Sequence, residues 1–402
     1  MDLSTPSSLR IAIVGAGPAG LALALLAARS LPQAEIHLFD TRPLDRDVSG
    51  DPRTLALSLG SVQLLERLGA WNRQAAQAIL EVHVSQAPPT LSHPIFGASG
   101  EPEVRITAAE LGADKLGAVL AYGQLVAPLQ KAWEALLNEP RLISRFGTAV
   151  TAIKPIAAGV EIDAGIAETF DLAVVAEGGV FADQARKSLT HDYKQNAWVG
   201  TVTLSEDVPA GLAFERFTRN GPLALLPLPS RPDAPRRAAL VWCMPQDEDE
   251  IAGLTDAQRI TVIQTLLPER AGKLLSISPL KCFALGLNAE RTLVDGRVIR
   301  IGNAAQTLHP VAGQGLNLGL RDAWSLVEAL KKKTDIDSAL RSVEWQRAPD
   351  RWTMIAATDF LARSFAWRLP GLPVVRGLGL AAVQALPIVR KVLAKRMMFG
   401  VR

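Results

Sequence analysis

The first forty residues alternate apolar and polar runs in an order that predicts a strand, a helix and a second strand. Residues 9–14 form a short apolar run, residues 18–29 are rich in leucine and alanine, and residues 35–39 alternate. A buried strand, a helix and a parallel strand in this order form the opening βαβ unit of a doubly wound sheet. The sequence therefore predicts an α/β fold.

Later segments predict further helices and a group of short strands. Apolar residues recur at helical spacing in residues 58–68, 124–137, 255–267, 314–330 and 338–360, and the tail beyond them is predicted as helix interrupted by proline. Strands are predicted at residues 81–85, 171–176, 197–204, 213–217, 223–228, 238–242, 280–287 and 298–301. Residues 87–102 are rich in proline and serine and are predicted as a loop.

The strands between residues 197 and 287 predict an antiparallel sheet inserted into the dinucleotide-binding unit. At 402 residues the chain is long enough for more than one core. We expect it to leave the first sheet near Glu177 and return near Arg297. Residues 1–79, 102–179 and 290–335 are predicted as one domain, residues 80–101 and 180–289 as a second, and residues 336–402 as a C-terminal helical region.

The turn after the first predicted strand carries a glycine motif that is typical of dinucleotide binding. It consists of Gly15, Gly17, Pro18, Ala19 and Gly20. The first glycine permits a tight turn, the second lets the backbone approach a pyrophosphate, and the third lets the helix pack on the strand. The helix N-terminus offers free N–H groups to phosphate. The alternative is a glycine-rich loop that serves packing alone.

Two charged residues follow the second predicted strand. Asp40 lies 20 residues after Gly20, where a carboxylate can accept hydrogen bonds from ribose hydroxyls, and Arg42 is assigned to the same site. A third residue, Arg53, precedes a predicted helix and could bridge a pyrophosphate, although a surface arginine is the alternative. These residues extend the predicted dinucleotide site beyond the glycine loop.

A second glycine-rich motif lies about 280 residues further along the chain. Its predicted binding residues are Gly302, Asn303, Pro310, Gly313, Gln314, Gly315, Leu316 and Asn317. The motif follows a predicted strand and opens a predicted helix, whose N-terminal N–H groups can face a region of negative charge. His309, one of five histidines, lies in the loop. Together with Pro310 it is a candidate catalytic residue, although a structural hydrogen bond within the loop is the alternative that we favour for His309.

The two motifs together resemble those of the class A flavoprotein monooxygenases of para-hydroxybenzoate hydroxylase type, and within them the ubiquinone-biosynthesis hydroxylases. Segments similar to this family are residues 15–20, 53–58, 214–227, 240–243 and 302–322. The resemblance implies a Rossmann-like FAD-binding domain, an inserted antiparallel β-sheet substrate domain and a C-terminal helical tail. It also implies non-covalent FAD, NAD(P)H as a transient reductant, and hydroxylation of a polyprenylated phenol by dioxygen through a flavin C4a-hydroperoxide.

The resemblance also assigns roles to residues near the flavin. Asn303 would face the ribityl chain, and the helix that starts at Gln314 would point at the flavin N1–C2=O edge. Gln124 could reach ribityl or ribose hydroxyls, or it could cap its own helix. No metal site is expected.

One segment departs from the family pattern. The family usually reads Ala-Asp-Gly with an arginine seven residues after the aspartate, whereas this chain has Glu177 followed by two glycines, with Gln184 at that spacing and Arg186 two residues later. In the family this segment contacts both FAD and NAD(P)H, so Glu177 is a candidate cofactor residue. The departure keeps two alternatives open: an FAD-binding scaffold subunit of a quinone-biosynthesis complex, and another flavin oxidoreductase of this fold.

Charge and cysteine content indicate where the protein acts. Two cysteines and no recognisable signal peptide favour the cytoplasm, and the apolar run at residues 377–388 is too short to span a bilayer. Eight lysines and arginines, and no acidic residue, follow Asp359. This tail could contact the inner face of an anionic membrane, a quinone-biosynthesis complex, or solvent alone. Nucleic acid is a poor candidate, since few aromatic residues interleave with the basic ones.

Overall fold

The computed structural model describes residues 9–87, 102–177, 187–230, 234–310, 313–333, 335–366 and 372–400. The helices are α1 (Pro18–Ser30), α2 (Leu59–Arg67), α3 (Tyr122–Glu134), α4 (Asp256–Leu266), α5 (Gly315–Lys332), α6 (Ile336–Ala366), α7 (Leu372–Ala385) and α8 (Pro387–Phe399). The first strands are β1 (Arg10–Val14), β2 (Glu35–Asp40), β3 (Thr54–Ser58), β4 (Gln77–Ile79), β5 (Glu81–Gln86), β6 (Glu103–Thr107), β7 (Gly117–Ala121), β8 (Leu142–Phe146), β9 (Ala152–Ile156), β10 (Gly159–Asp163), β11 (Ala167–Phe170) and β12 (Leu172–Val175). The later strands are β13 (Lys187–Leu204), β14 (Leu212–Thr218), β15 (Gly221–Leu228), β16 (Arg236–Pro245), β17 (Leu274–Ile277), β18 (Lys281–Glu290), β19 (Val294–Asp295), β20 (Val298–Arg300) and β21 (Gln306–Thr307).

The predicted βαβ unit lies at the centre of a six-stranded sheet with the order β19-β20-β12-β1-β2-β8. Its strand pairs are parallel except for β19–β20 at one edge. Helices α1, α3 and α5 pack leucine and alanine side chains on one face. The small sheet β11-β10-β9 packs on the other face. Because both faces are covered, the central strands β1 and β12 are nearly continuous apolar runs, as is typical of a doubly wound fold.

The second large sheet has the order β21-β18-β13-β16-β15-β14-β5-β6, with β17 also paired to β13. It is not purely antiparallel as expected, because β5 and β14 pair in parallel. The two strands are more than a hundred residues apart in the chain, so no hairpin fixes their relative direction. Helix α4 packs on one face of this sheet. The small sheet β3-β7-β4 and helix α8 pack on the other.

Several elements differ from the sequence predictions. Strands β3, β4 and β7 form a small sheet that was not predicted. Strand β13 begins ten residues before the predicted position 197 and is bulged between Asp192 and Gln195. Strands β6 and β21 pair in the large sheet, although the predicted boundaries place them in the first domain. The domain division is otherwise a prediction, and most of the predicted loop 87–102 lies outside the described residues.

Two helices at the end of the chain are bent sharply against each other. No single described helix is both long and apolar enough to cross a membrane. The stretch Val374–Ala385 together with Pro387–Phe399 meets the length and composition criteria only as a pair, with a bend of 95° between them.

Candidate active site

The two glycine motifs line one cleft of about 640 Å³ at the carboxyl ends of the parallel strands. Ligands of open α/β sheets bind at this edge, and the volume suits a dinucleotide-sized ligand. Eleven of the predicted residues line the cleft: Gly15, Gly17, Pro18, Ala19, Asp40, Arg42, Arg53, Glu177, Gly302, Asn303 and Leu316. The structure therefore brings together motifs that are far apart in the chain.

The first motif forms a turn that only glycine accommodates. Gly15 has a φ of +103°, and a Cβ atom on Gly20 would lie 1.8 Å from the carbonyl oxygen of Gly15. Gly17, at the N-cap of α1, faces open space, since the nearest atom to a Cβ there would be Tyr122 Oη at 3.9 Å. Gly15 and Gly20 thus shape the turn, whereas Gly17 leaves the backbone at the helix N-terminus free to approach a phosphate.

Asp40 and Arg42 form a paired unit at the end of β2. Asp40 Oδ2 accepts hydrogen bonds from Ala16 N at 2.7 Å and from Arg42 Nη2 at 3.1 Å. Asp40 Oδ1 accepts from Arg42 N at 2.8 Å and from Nε at 2.9 Å. A carboxylate has about four acceptor sites, and all four are used here. The carboxylate therefore holds the glycine turn and orients Arg42, while its predicted bond to ribose stays a prediction.

Arg53 lies at the mouth of the cleft, where its guanidinium stacks on the Tyr122 ring at 4.1 Å and pairs with Asp51 at 2.7 Å. Its side chain is 66% exposed, so it is held in place yet open to a ligand. Gln124 does not line the cleft. It donates to Ser49 O and accepts from Asn72, both at 3.3 Å, and so braces the loop that carries Arg53. It makes no capping bond to its own helix either.

The second motif packs closely against the first through small residues. Gly302 has a φ of +59° and begins a single helical turn that carries Asn303. A Cβ atom on Gly319 of α5 would lie 2.8 Å from Gly302 Cα and 3.4 Å from Ala19 Cβ. Any larger side chain at Gly319 would separate α5 from α1. A Cβ atom on Gly315, at the start of α5, would lie 3.8 Å from Asn303 Oδ1.

Glu177 closes the cleft beside Asp40 and is half-buried. Burial, and then the negative charge of Asp40, raise the pKa of its carboxyl. Protonation would reduce its repulsion of a bound phosphate, so glutamate here is compatible with the site. Residues 178–186, which include Gln184 and Arg186, lie outside the described residues.

A second cavity of about 180 Å³ adjoins this cleft and is mostly apolar. The large sheet, the small sheet β3-β7-β4 and helix α8 enclose it. Its lining includes four residues predicted to bind the cofactor: Pro310, Gly313, Gln314 and Asn317. Leu316 lines the cleft instead. The start of α5 therefore forms a shared wall, and the predicted set divides between two neighbouring cavities.

Asn317 anchors this wall with four hydrogen bonds. Its Oδ1 accepts from Ser58 N at 2.8 Å and from Ser61 Oγ at 2.7 Å. Its Nδ2 donates to Ala56 O at 3.1 Å and to Gly313 O at 3.0 Å. The amide is fully satisfied and buried, so it positions the loop and is not available to a ligand.

His309 is buried and lines neither cavity. Its Nε2 lies 3.1 Å from Gln195 Oε1, and its ring packs edge-on against Tyr193. Burial lowers the pKa of His309 to about 4, which keeps the ring neutral. This contact joins the loop to β13, and the structural hydrogen bond within the loop that we favoured stays a prediction. An acid–base role for His309 stays a prediction that this position disfavours.

Comparisons with known proteins agree with this arrangement. Residues 183–358 match the FAD binding domain family. The chain is 29% identical over 408 residues to 3-demethoxyubiquinol 3-hydroxylase of Escherichia coli (strain K12), across 96% of this chain and 97% of that protein. It is 28% identical over 373 residues to a ubiquinone hydroxylase of Rhodospirillum rubrum, across 87% of this chain and 80% of that protein. The chain is an FAD-dependent monooxygenase, and it is similar to the ubiquinone hydroxylases.

A solved structure shares the fold of this monooxygenase. Klebsiella pneumoniae HpxO, crystallised with FAD and uric acid, has a TM-score of 0.71 at 17% identity, across 100% of this chain and 99% of that one. The α/β fold with its mixed sheets is therefore confirmed. FAD fits the residues present, because the cleft joins a phosphate-binding helix N-terminus, a close-packed glycine contact and the N-terminus of α5.

Several lining residues of the monooxygenase were missed from the sequence. In the cleft they include Tyr122 and the loop that contains Val48 and Asp51. In the cavity they include Glu215 of β14 and Met398 of α8. The signal available for Glu215 was its position in a strand whose other residues are mostly apolar, and the sequence alone assigned it no role.

Proposed function

We propose that this monooxygenase hydroxylates a polyprenylated phenol ring in ubiquinone biosynthesis. The observation that carries the proposal is the apolar cavity, which shares the wall Gly313–Asn317 with the FAD cleft. The names of both relatives refer to ubiquinone or ubiquinol hydroxylation. The sequence motifs also resemble those of 2-octaprenyl-6-methoxyphenyl hydroxylase.

The bound flavin supplies the electron transfer and the oxygen activation. The chain supplies the site that holds it. The N-terminus of α1 and Arg42 would hold the pyrophosphate, and Asn303 and Leu316 at the start of α5 line the same cleft. Since a helix N-terminus favours negative charge, the start of α5 would stabilise a reduced flavin edge. NAD(P)H is the proposed transient reductant.

The apolar cavity positions the ring and excludes water. Its walls carry aliphatic side chains from five strands of the large sheet, including Val84, Ala224, Leu226 and Val241. A phenol ring held there would lie beside the start of α5, next to the flavin cleft. Fixing the ring and keeping water away from the reaction are the two contributions that such a cavity makes.

The C-terminal helices support a membrane contact that would deliver the prenyl chain. Helix α8 buries Ala394 and Met398 in the cavity wall and exposes apolar side chains on its other side. The exposed apolar residues of α7 and α8 are Val375, Leu378, Leu386, Ile388, Val389, Val392 and Leu393. Three basic residues of α8 are exposed beside them: Lys391, Lys395 and Arg396. Apolar and basic groups on one surface match an anionic lipid interface.

The hydroxylase proposal is tested by turnover. Purified protein loaded with FAD is incubated with NADH or NADPH, dioxygen and a short-chain polyprenylphenol, and the products are analysed by mass spectrometry. We expect a product that carries one added oxygen atom and depends on FAD. Retention of FAD without reduction by either nucleotide, and without product, would instead support the scaffold alternative.

The membrane contact is tested by co-sedimentation with phosphatidylglycerol vesicles at low salt. Replacing Lys391, Lys395 and Arg396 together by glutamate should weaken binding at least roughly tenfold, since each basic residue near an anionic surface contributes about 1 kcal/mol. The matched control replaces Lys331, Lys332 and Lys333, exposed at the end of α5, and changes net charge equally. Equal weakening by both triple variants would contradict a specific surface.

A further inference from the structure

One acidic side chain lines the otherwise apolar cavity. Among the described residues that form its walls, Glu215 is the only one with a charged side chain. It lies on β14 between Val84 of β5 and Ala224 of β15, and both of these neighbours also line the cavity. The alternation of side chains along the strand therefore directs the carboxyl group to the cavity face of the sheet.

No described residue forms a hydrogen bond with the buried Oε1 of Glu215 on this face. The adjacent Arg216 lies on the opposite face, where it donates to Leu266 O at 2.8 Å and to Ser85 Oγ at 3.1 Å. Because side chains alternate between the two faces of the sheet, the guanidinium of Arg216 and the carboxyl group of Glu215 lie on opposite faces.

The surroundings keep the carboxyl group poised between its two protonation states. Burial raises the pKa of Glu215 to about 7. The other titratable side chain of the described cavity lining is Cys243, whose thiol pKa is raised by burial and then by Glu215. His83 and Arg216 lie on the opposite face of the sheet, with His83 packed on Phe214. No described cation therefore holds the carboxyl group ionised.

A buried acceptor without a partner is costly, and an apolar cavity for a prenyl chain does not need one. A ligand that donates a hydrogen bond would satisfy it. In a polyprenylated phenol the hydrogen-bond donor is the ring hydroxyl, because alkyl and ether substituents carry no O–H or N–H group. We propose that Glu215 is a catalytic residue that accepts a hydrogen bond, and then the proton, from the phenol hydroxyl of the substrate. This inference rests on the proposed function.

The proton transfer activates the ring towards an electrophilic oxygen. The phenol O–H bond breaks, its proton moves to a Glu215 carboxylate oxygen, and the electron pair enters the ring. The ring carbon would then bond to an electrophilic oxygen atom supplied by the FAD and dioxygen chemistry. The bond from that atom to the second oxygen atom would break, and its electron pair would leave with the second oxygen atom, which takes up the proton lost from the ring carbon. Loss of that carbon's hydrogen as a proton restores the aromatic ring, and the phenol oxygen takes back the proton held by Glu215. Proton transfer to a positioned base typically accelerates a reaction by roughly 10²–10⁴-fold.

The first experiment measures binding and does not require turnover. FAD-loaded protein is titrated at pH 8 with 2-geranylphenol and with its methyl ether, which cannot donate. Wild type should prefer the phenol by roughly tenfold or more, as for a hydrogen bond to a charged acceptor. Glu215→Leu, which keeps the cavity apolar, should remove the preference. The control Glu250→Gln changes a surface acid that pairs with Arg219, and it should retain the preference.

The second experiment measures the pH dependence of kcat for 2-geranylphenol. Wild-type activity should rise from acid pH to a plateau above about 7, because the base must be ionised. Glu215→Gln should retain FAD, lose roughly a hundredfold in kcat and lack this acid limb. Ring-fluorinated phenols, which ionise without help, should restore part of its activity.

The outcomes separate this inference from the function that it depends on. Equal binding of the phenol and its ether by wild type, or a Glu215→Gln variant with unchanged kcat and pH profile, overturns the role of Glu215. A wild-type preference for the phenol that depends on Glu215, without any hydroxylated product, supports recognition by Glu215 and overturns the proposed function.

Discussion

The FAD cleft and the apolar cavity are neighbours, yet they are built in opposite ways. The cleft is lined by glycine backbone and by charged side chains that already have partners, as in Asp40 with Arg42 and Asp51 with Arg53. The cavity is lined by aliphatic side chains and by one acid without a described partner. A cofactor that stays bound is held by prearranged backbone and paired charges. A substrate that must leave is held by shape and by a single polar contact.

A shared wall keeps these two environments apart. The start of α5 contributes Leu316 to the cleft and Gln314 and Asn317 to the cavity. Asn317 ties this wall to β3 and α2 through Ser58 and Ser61. If the cleft and the cavity are separate in this way, some variants should lose FAD binding, others should lose substrate binding, and others should lose only the stability of the wall.

The largest effect is expected in the cleft, from Gly20→Ala. The added Cβ would lie 1.8 Å from the carbonyl oxygen of Gly15, so the turn must move. We expect a loss of more than about 3 kcal/mol in the free energy of unfolding and a protein that purifies without flavin. Flavin absorption and thermal unfolding measure this. Gly253→Ala, where a Cβ has open space, is the control. A variant with a full complement of flavin would show that the turn is adaptable.

Filling the cavity should weaken substrate binding and leave FAD bound. Ala224 lines the cavity beside Glu215, and Ala224→Phe would occupy much of its volume of about 180 Å³. We expect FAD to be retained and the affinity for 2-geranylphenol to fall by at least roughly tenfold, since fully burying an apolar side chain is worth about 1.5–3 kcal/mol. Ala382→Phe, at an exposed position of α7, should change neither. Loss of FAD from Ala224→Phe would mean that the two regions are not separate.

The wall itself is tested by Asn317→Leu. This variant removes four hydrogen bonds and leaves the buried Ser58 N–H and Gly313 carbonyl without partners. The expected cost is about 2–4 kcal/mol in the free energy of unfolding. Asn317→Asp keeps the acceptor oxygen but places a second acceptor oxygen against the carbonyls of Ala56 and Gly313, so it should lose at least as much. A urea denaturation series on the three proteins checks this order, and equal stability of wild type and Asn317→Leu would remove the wall from the comparison.

The smallest effect is expected from Glu215→Leu on stability. Because the pKa of Glu215 is raised from 4.5 to about 7 in the folded protein, the unfolded chain loses this proton first as the pH rises, so folding is increasingly disfavoured between pH 4.5 and pH 7 and by a constant amount above that. Below pH 4.5 the group is protonated in both states and carries no such penalty. The variant should therefore gain on the order of 2–3 kcal/mol relative to wild type between pH 4.5 and pH 8. Denaturant titrations at the two pH values measure the gain, and Glu250→Gln serves as control. A gain that does not depend on pH would point to packing alone.

The sequence predicted candidate cofactor residues in detail but named no residue for the substrate. Gly15 and Gly20 were predicted because a tight turn and close helix–strand packing restrict a position to glycine wherever they occur. Gln124 was assigned to the cofactor, but the structure places it behind the loop that carries Arg53. The predicted antiparallel sheet was found with one parallel pair, β5–β14, because the direction of that pair depends on contacts between distant segments.

By itself, the sequence determined the βαβ unit, the two glycine motifs and the FAD-dependent class, because each depends on local backbone geometry that restricts the residue type. Only the tertiary structure decided that residues 310–317 divide between two cavities and that Glu215 lies without a described partner in one of them. The physical reason is that the environment of a side chain on a sheet depends on which face it occupies and on the strands and helices that cover that face. Those neighbours come from segments as distant as β5 and α8, and no local pattern records them.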